Sequence, residues 1–357
     1  MKNILRVSFF FLVLLLLFSC APKTQPRPFY WPFPPERPRL KFEGVLRSEA
    51  DLNVDGWEKF KRELRGYEGG SALTQPTDVA SDGKGRVYVA MSLERRVVVF
   101  DYNTKRFGEF VRGDTPYLSP FSVSVDGDGK VYIGDVQRHK VFVFTPDGRP
   151  LYTIGDESVM ENPVCIRIDD ERNRVYVVDS FKAKVLVFNK QGELLFELGS
   201  KWRGSGDGEF HTPQAVAIDD QGRIFVADTL NARIQVFDVE GNFLYKFGER
   251  GTAWSYFEDP KGMAFDSEGN LHIVDYRKSG ILTYSPDGEF LLATSRGKAV
   301  RNLIGFAGPN AIWIDQDDRM YISDYHNKRI AVWQYLSDAY LDTHPDVYRG
   351  GQSPAAE

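Results

Sequence analysis

The sequence predicts an all-β protein built from six copies of a four-stranded antiparallel unit. Each copy opens with a proline, carries an aspartate six residues later and contains an aromatic residue at its third apolar segment. Successive aromatic residues are separated by 44, 44, 49, 47 and 49 residues; they are Phe100, Phe144, Phe188, Phe237, Tyr284 and Trp333. Self-similarity at a period of about 40–50 residues is typical of propellers and solenoids.

The fourth copy shows the repeated unit most clearly. Four short segments are rich in apolar residues, at 215–218, 224–226, 234–237 and 243–247, and a polar residue interrupts each of the last two. Short apolar segments bounded by turn residues predict strands rather than helices. Short turns join the segments, and the last of these turns contains Gly241, a good hairpin signal because glycine accepts positive φ. Four such strands form roughly one propeller blade.

Two sets of aspartates recur and are interpreted as structural. The first set opens a tight turn, where an aspartate side chain accepts a backbone amide. The second set ends the second strand, and a basic residue follows five positions later in most copies, which predicts hydrogen bonding inside each blade. The first set is Asp82, Asp126, Asp169, Asp219, Asp266 and Asp315, and the second is Asp135, Asp179, Asp228, Asp275 and Asp324.

Residues 204–237 resemble the NHL repeat. They have its Gly-rich loop, its Phe-x-x-Pro start at Phe210, and an ending in which Asp228, Asn231, Arg233 and Phe237 match the repeat. The resemblance covers about residues 73–336 and implies a six-bladed β-propeller. NHL-type propellers include protein and RNA interaction modules as well as metal-dependent lyases and lactonases, so the fold assigns no activity.

The first 19 residues predict a cleaved secretory signal. Lys2 and Arg6 precede an apolar run over 7–18, and Cys20 follows. This arrangement resembles a bacterial lipobox, which implies a lipid on Cys20; an ordinary signal with an incidental cysteine is the alternative. The residue after Cys20 is Ala21 rather than an aspartate. This resembles lipoproteins that are sorted to the outer membrane, on its periplasmic or surface face, rather than retained in the inner membrane.

Residues 20–38 predict a lipidated, Pro-rich tether, because seven prolines in 22–38 favour an extended chain without a packed core. Its aromatic residues could meet lipid or dock on the propeller, and the sequence leaves both open. They are Phe29, Tyr30, Trp31 and Phe33.

The propeller is expected to occupy 39–336 and to close through an N-terminal strand. The sixth copy lacks a fourth strand, whereas the strand-like segment 40–46 has no copy of its own, so pairing the two leaves no exposed edge. Residues 55–66 predict a short inserted helix that packs on the propeller or on a partner. Residues 337–357 form a C-terminal tail.

Composition excludes some partners. The chain has 45 basic and 50 acidic residues, and removal of Lys2 and Arg6 leaves a net charge of −7. This acidity argues against nucleic acid as a partner. Cys165, the one cysteine besides Cys20, is expected to be buried, and no Cys-x-x-Cys-His motif indicates a covalently attached haem.

The connections between copies are the candidate recognition segments. Those at 199–212, 248–259 and 295–308 are long, and loops on a rigid scaffold commonly carry recognition residues, with Trp, Tyr and Arg as anchors. Phe210 and Phe257 are expected to fill gaps between blades instead. The partner-binding candidates are Trp202, Arg203, His211, Trp254, Tyr256, Arg301, Asn302 and Phe306.

The residues beside the blade prolines do not predict a catalytic site. They form a mixed polar ring without the histidine or carboxylate cluster of a zinc site. No cofactor is therefore predicted. Calcium is the alternative, because Asp259, Asn162 and Asn310 could offer it oxygen ligands.

The favoured function is therefore a membrane-anchored, monomeric scaffold or binding module in the cell envelope, with another envelope protein or complex as partner. The whole arrangement resembles propeller lipoproteins of Gram-negative bacteria, some associated with multihaem cytochrome systems, and this suggests an electron-transfer complex. The alternative is a calcium- or zinc-dependent hydrolase or lyase at the channel mouth. A third hypothesis is binding of a sugar or cell-wall fragment.

Overall fold

Six antiparallel sheets follow one another along the chain, one for each sequence repeat. The computed structural model describes residues 29–32, 36–52, 72–111, 116–294, 304–345 and 347. Neighbouring sheets pack face to face, and their inner strands surround a central channel. The protein is a six-bladed β-propeller, as the repeats predict.

The strands are numbered β1 to β25 along the chain. Blade one is β3 (Asp78–Ser81), β4 (Arg86–Met91), β5 (Arg96–Asp101) and β6 (Arg106–Glu109); blade two is β7 (Pro120–Val125), β8 (Val131–Asp135), β9 (Lys140–Phe144) and β10 (Pro150–Ile154); blade three is β11 (Pro163–Asp169), β12 (Arg174–Asp179), β13 (Lys184–Asn189) and β14 (Leu194–Leu198). Blade four is β15 (Pro213–Ile218), β16 (Ile224–Asp228), β17 (Arg233–Phe237) and β18 (Phe243–Phe247); blade five is β19 (Pro260–Phe265), β20 (Leu271–Asp275), β21 (Gly280–Tyr284) and β22 (Phe290–Thr294); blade six is β23 (Pro309–Ile314), β24 (Arg319–Asp324) and β25 (Arg329–Tyr335), completed by β2 (Leu40–Leu46) and β1 (Tyr30–Trp31).

The N-terminal strand closes the ring. β2 pairs antiparallel with β25, from Leu40 opposite Tyr335 to Leu46 opposite Ile330. Phe42 is buried and meets the ring of Trp333 edge-on, with the ring centroids 5.1 Å apart. The predicted closure is confirmed, and β1 adds a fifth strand on the outside of β2.

Two aromatic residues of the predicted tether pack on the propeller. Phe29 meets Trp333 edge-on at a centroid distance of 5.9 Å, and the Trp31 indole nitrogen donates to the Ala293 carbonyl at 3.0 Å. Docking is therefore the observed arrangement for these two side chains. Residues 1–28, which include the predicted signal and Cys20, and the predicted helix over 55–66 lie outside the described residues.

The C-terminal tail begins with a short helix, α1 (Asp338–Thr343). The Ser337 hydroxyl accepts a hydrogen bond from the Tyr340 amide and caps the helix. Arg39 pairs with Asp338 at 2.8 Å, so this helix is fixed next to the start of β2. Within the described part of the chain, no helix combines the length and the apolar character needed to cross a membrane.

Both aspartate sets make structural hydrogen bonds. In the first set, for example, the Asp219 carboxylate accepts a hydrogen bond from the backbone amide of Arg223 at 2.7 Å, and this bond closes the turn. The second set is fully buried: Asp179 accepts the amides of Glu161 at 2.6 Å and of Lys182 at 2.9 Å. Each such carboxylate therefore joins the connection that enters its blade to the turn after its second strand.

The basic residue five positions later contributes in only some blades. Arg233 pairs with Asp228, and Arg329 with Asp324, each at 2.9 Å. Lys184 pairs instead with Glu197 on the neighbouring strand. The planar guanidinium reaches the carboxylate and several connection carbonyls at once, whereas an ammonium lacks that geometry.

The outer strands of blades two to five share a β-bulge. The extra residue is a leucine in each case, and its side chain is 45–48% exposed. Bulges disrupt the unpaired edge of a sheet and discourage edge-to-edge pairing. The four residues are Leu151, Leu195, Leu244 and Leu291.

Candidate binding surface and channel mouth

One face of the disc gathers the segments that vary most between blades. Strands alternate in direction, so the turns after the second strands lie on the same side as the connections between blades. We call this side the connection face. It carries the two described connections that the sequence singles out, 199–212 and 248–259.

Four large apolar side chains are exposed on the connection face of blades three to five. Trp202 is 73% exposed, Phe181 59%, Leu230 50% and Trp254 46%. They come alternately from the turns of blades three and four and from the connections that follow those blades. We call these four residues the aromatic surface. Exposed apolar patches rimmed by polar residues mark interaction sites on folded domains.

Basic side chains hold the segments of the aromatic surface together. The Arg203 guanidinium lies over the Phe181 ring at 5.4 Å and donates to the Phe181 carbonyl at 3.0 Å. Arg250 donates to the carbonyl of Leu230 at 2.9 Å, and Lys278 donates to the carbonyl of Ala253. These bonds link each connection to a neighbouring turn, so the surface is ordered before any partner arrives.

The other sequence-predicted residues occupy different positions. His211 acts through its backbone: its amide donates to Asp228 at 2.6 Å and its carbonyl accepts from the Leu230 amide at 3.1 Å. Phe306 is fully buried against Trp333, as Phe210 and Phe257 are buried elsewhere between blades. Arg301 and Asn302 lie outside the described residues.

Tyr256 lies at a groove between the outer parts of blades four and five. The groove has a volume of about 500 Å³ and also contains Arg250, Tyr284 and Phe290. The Tyr284 hydroxyl donates to the Ser255 carbonyl at 2.6 Å, which fixes the base of the connection. The groove therefore lies between the connection 248–259 and the outer strands of blades four and five.

The central channel is blocked by Arg167. This side chain projects from blade three, bonds the Ile166 carbonyl at 2.7 Å and reaches the Ile312 carbonyl of blade six at 3.1 Å. It also lies over the Trp313 ring, at 5.6 Å from the centroid. The recess lined by Arg167 has a volume of about 20 Å³. That volume holds about one water molecule, far below the roughly 300 Å³ or more of a typical ligand pocket.

Lys261 lines the same recess and escaped the sequence analysis as a site residue. It is the second residue of β19, and its ammonium lies 5.7 Å from the centre of the Tyr276 ring. Burial lowers the pKa of Lys261, and the nearby Asp259 only partly offsets this effect. Burial also raises the pKa of Asp259. No local motif marks Lys261, because the residues that line its recess come from all six blades.

Tyr276 also bonds a histidine across the boundary between blades five and six. Its hydroxyl lies 2.7 Å from Nε2 of His326. Gly308 packs beneath this pair with a φ of +72°, and a Cβ there would stand 2.7 Å from Tyr276 and 2.9 Å from His326. Glycine is therefore required at this position.

The side chains considered for calcium have separate partners. Asn162 donates to the Ser180 hydroxyl at 2.7 Å, Asn310 donates to the Thr77 carbonyl at 2.6 Å, and Asp259 lies 3.8 Å from Arg277. Among the described residues, no three His, Cys, Asp or Glu side chains form a group that could hold a metal ion.

Comparisons with known proteins agree on the fold. A family model described as a 6-bladed β-propeller matches residues 150–223 and 219–298. The comparison with curated proteins found no match. A structural-genomics protein of unknown function from Bacteroides thetaiotaomicron is similar over 74% of this chain and 70% of its own, with a TM-score of 0.61 and 18% identity.

Two enzymes also resemble the chain in structure. A gluconolactonase from Xanthomonas campestris has a TM-score of 0.56 and 14% identity, over 74% of this chain and 86% of its own. Virginiamycin B lyase from Staphylococcus aureus has a TM-score of 0.54 and 13% identity, over 73% of this chain and 95% of its own. At these identities the similarity shows the fold alone.

Proposed function

We propose that this protein is a binding module of the bacterial cell envelope, and that the aromatic surface receives a partner protein. The observation that carries the proposal is the exposure of Phe181, Trp202, Leu230 and Trp254 on adjacent segments of a rigid disc. Tryptophan and neighbouring arginines are the residue types that dominate interface energetics. The bonds of Arg203 and Arg250 order the surface in advance, which reduces the entropy lost on binding.

The alternative is a calcium- or zinc-dependent hydrolase or lyase that works at the channel mouth. The geometry favours binding, because the recess lined by Arg167 takes about one water molecule rather than a substrate. The gluconolactonase and lyase folds support the alternative only at the level of architecture. Metal analysis of the purified full-length protein separates the two: near-stoichiometric calcium or zinc would favour the enzyme.

The proposed anchor is a lipid on Cys20 after cleavage of residues 1–19, with the outer membrane as the favoured location. Phe29 and Trp31 pack on blade six and its neighbour, so eight residues, 21–28, separate the anchor from the propeller. A chain of that length spans at most about 30 Å, since an extended residue covers about 3.3–3.6 Å. The propeller would therefore stay close to the membrane and meet membrane-associated partners.

Affinity capture from native membranes tests the binding function. Full-length protein is compared with Trp202→Ala/Trp254→Ala and with Leu244→Ala, a rim leucine that is 45% exposed and matches the 46% of Trp254. We expect the double variant to lose the partner and the Leu244 variant to retain it. Recovery of the same partners by all three proteins would show that the aromatic surface does not bind them.

The identity of the captured partner tests the narrower hypothesis. The sequence resemblance suggests a multihaem electron-transfer complex, and haem staining of the captured proteins would reveal one. A glycan-binding role would instead leave no captured protein that depends on Trp202 and Trp254, and would be revealed by retention on immobilised cell-wall fragments.

A further inference from the structure

Lys261 has an unusually incomplete set of partners for a half-buried cation. Its closest hydrogen-bond acceptor is Gln214 Oε1 at 3.5 Å, beyond the usual 2.7–3.2 Å for such a bond. Among the described residues, no carboxylate approaches its ammonium within ion-pair distance; Asp259 is instead 3.8 Å from Arg277. Burial lowers the pKa of Lys261, and the attraction of the nearby Asp259 offsets this effect only in part.

Arg167 adds a second positive charge to the recess. It is bonded to the carbonyls of Ile166 and Ile312, which are neutral. The carboxylate that lines the recess, Asp78, already accepts hydrogen bonds from the Ser122 hydroxyl at 2.6 Å and from the amides of Val79 and Val123 at 2.8 and 3.1 Å. Asp78 is also attracted by Arg167. The lining of the recess therefore holds two cationic side chains and one carboxylate, which leaves Lys261 without a directly bonded anion among the described residues.

The size of the recess limits what can enter it. A volume of about 20 Å³ accepts one water molecule or the oxygen end of a carboxylate, but not a whole metabolite. Phe121, Thr77 and Asn310 form its walls beside Lys261. A ligand that uses this recess must therefore hold most of its mass outside, above the connection face.

We propose that the channel mouth is a carboxylate-binding socket, in which Lys261 receives an aspartate or glutamate side chain of the partner protein. This inference rests on the proposed function, since a protein lying on the aromatic surface would also lie close to the channel mouth. An ammonium and a carboxylate form a charge-assisted hydrogen bond, which is stronger in a partly desolvated site than in water. The Gln214 amide next to Lys261 offers N–H donors to the second carboxylate oxygen.

Site-specific lysine labelling tests the socket without a known partner. The full-length protein is treated with a limiting amount of an amine-acylating reagent at constant ionic strength, with increasing glutarate or its neutral diamide, glutaramide. Mass spectrometry then compares Lys261 with Lys130, which lies on the opposite face of the disc. We expect glutarate to slow the labelling of Lys261 several-fold and in a saturable way, with no effect of glutaramide and none at Lys130. Equal effects on both lysines, or none, would overturn the socket.

Partner capture with Lys261→Met separates this inference from the proposed function. If the socket exists, Lys261→Met weakens capture at least several-fold while Lys130→Met does not. If Lys261→Met retains the partner fully while Trp202→Ala/Trp254→Ala loses it, the socket is wrong and the aromatic surface stands. If every variant retains the partner, both proposals fail. Lys261→Gln, which keeps a polar side chain, guards against a folding defect in the methionine variant.

Discussion

At the scale of single residues, two aspartates in equivalent turns have opposite pKa shifts. Burial raises the pKa of Asp266, but hydrogen bonds from His272 and Asn270 outweigh burial and hold the pKa below its ordinary value of 3.8. Burial raises the pKa of Asp315, because the hydrogen bonds from the backbone amides of its turn do not offset the effect of burial. His272 explains the difference: it occupies the position of Tyr321 in blade six and bonds Asp266 at 2.9 Å.

The two turns therefore predict opposite pH dependence of stability. A carboxyl whose pKa is lowered on folding stabilises the protein above its unfolded pKa, and this contribution is lost as the pH falls. The stability lost in Asp266→Asn should shrink as the pH drops from 7 to 3. For Asp315→Asn it should grow over the same range, because the raised pKa penalises the ionised carboxylate at neutral pH. Urea unfolding at both pH values measures this, and parallel behaviour of the two variants would contradict the assignment.

The Cys165 thiol should be unreactive in the folded protein. It is buried in β11, and burial raises its pKa. Since the thiolate is the reactive form, both effects slow attack on a disulfide reagent. We expect the Cys165 thiol of the native protein to react only slowly with such a reagent. Protein that is purified from membranes and then denatured should show one reactive thiol per chain if lipid is joined to the Cys20 sulfur. It should show two if Cys20 is free.

At the scale of elements, Arg233 joins β17 to the connection before blade four. It pairs with the buried Asp228 and donates to the carbonyls of Ser205, Gly206 and Glu209. Loss of one partner of a buried pair leaves an uncompensated charge, which costs about 3–5 kcal/mol. Arg233→Met should therefore lower the free energy of unfolding by about that amount and loosen the segment that carries Trp202.

Lys184→Met is the matched control for Arg233→Met. Lys184 holds the same position in blade three but pairs with Glu197 at the surface. Exposed pairs contribute about 0–1 kcal/mol. Urea unfolding of both variants tests the contrast, and equal losses would show that the buried arginine network has no special role.

The repeat made the blades, their turns and the closing strand predictable. The repeat period, the pattern of apolar residues and the turn residues can all be read directly from the sequence. The exposure of Trp202 and Trp254 was not predictable, since it depends on how each connection folds over its neighbours. Lys261 was missed for the same reason: its environment combines side chains from several blades. The predicted bond between a second-set aspartate and the basic residue five positions later is wrong for Asp179 and Lys184. Strand pairing brings Glu197 within reach of Lys184 instead.

At the scale of the whole molecule, the closing strand connects the first and last parts of the propeller. Phe42 of β2 packs on Trp333, and Phe29 packs on the same ring. Truncation of a buried phenylalanine costs about 3–5 kcal/mol. Phe42→Ala should lower the unfolding free energy by this amount. An exposed rim variant such as Leu244→Ala should change it by less than about 0.5 kcal/mol. A small effect of Phe42→Ala would argue against closure through β2.

The claim that a partner binds the connection face is tested most directly by photo-crosslinking in cells. A photoreactive amino acid replaces Lys201, the exposed neighbour of Trp202, or Leu244 on the outer strand of the next blade as the control. Binding at the aromatic surface predicts a discrete crosslinked product from position 201 and none from position 244. No product from position 201, or the same product from both positions, would contradict the account.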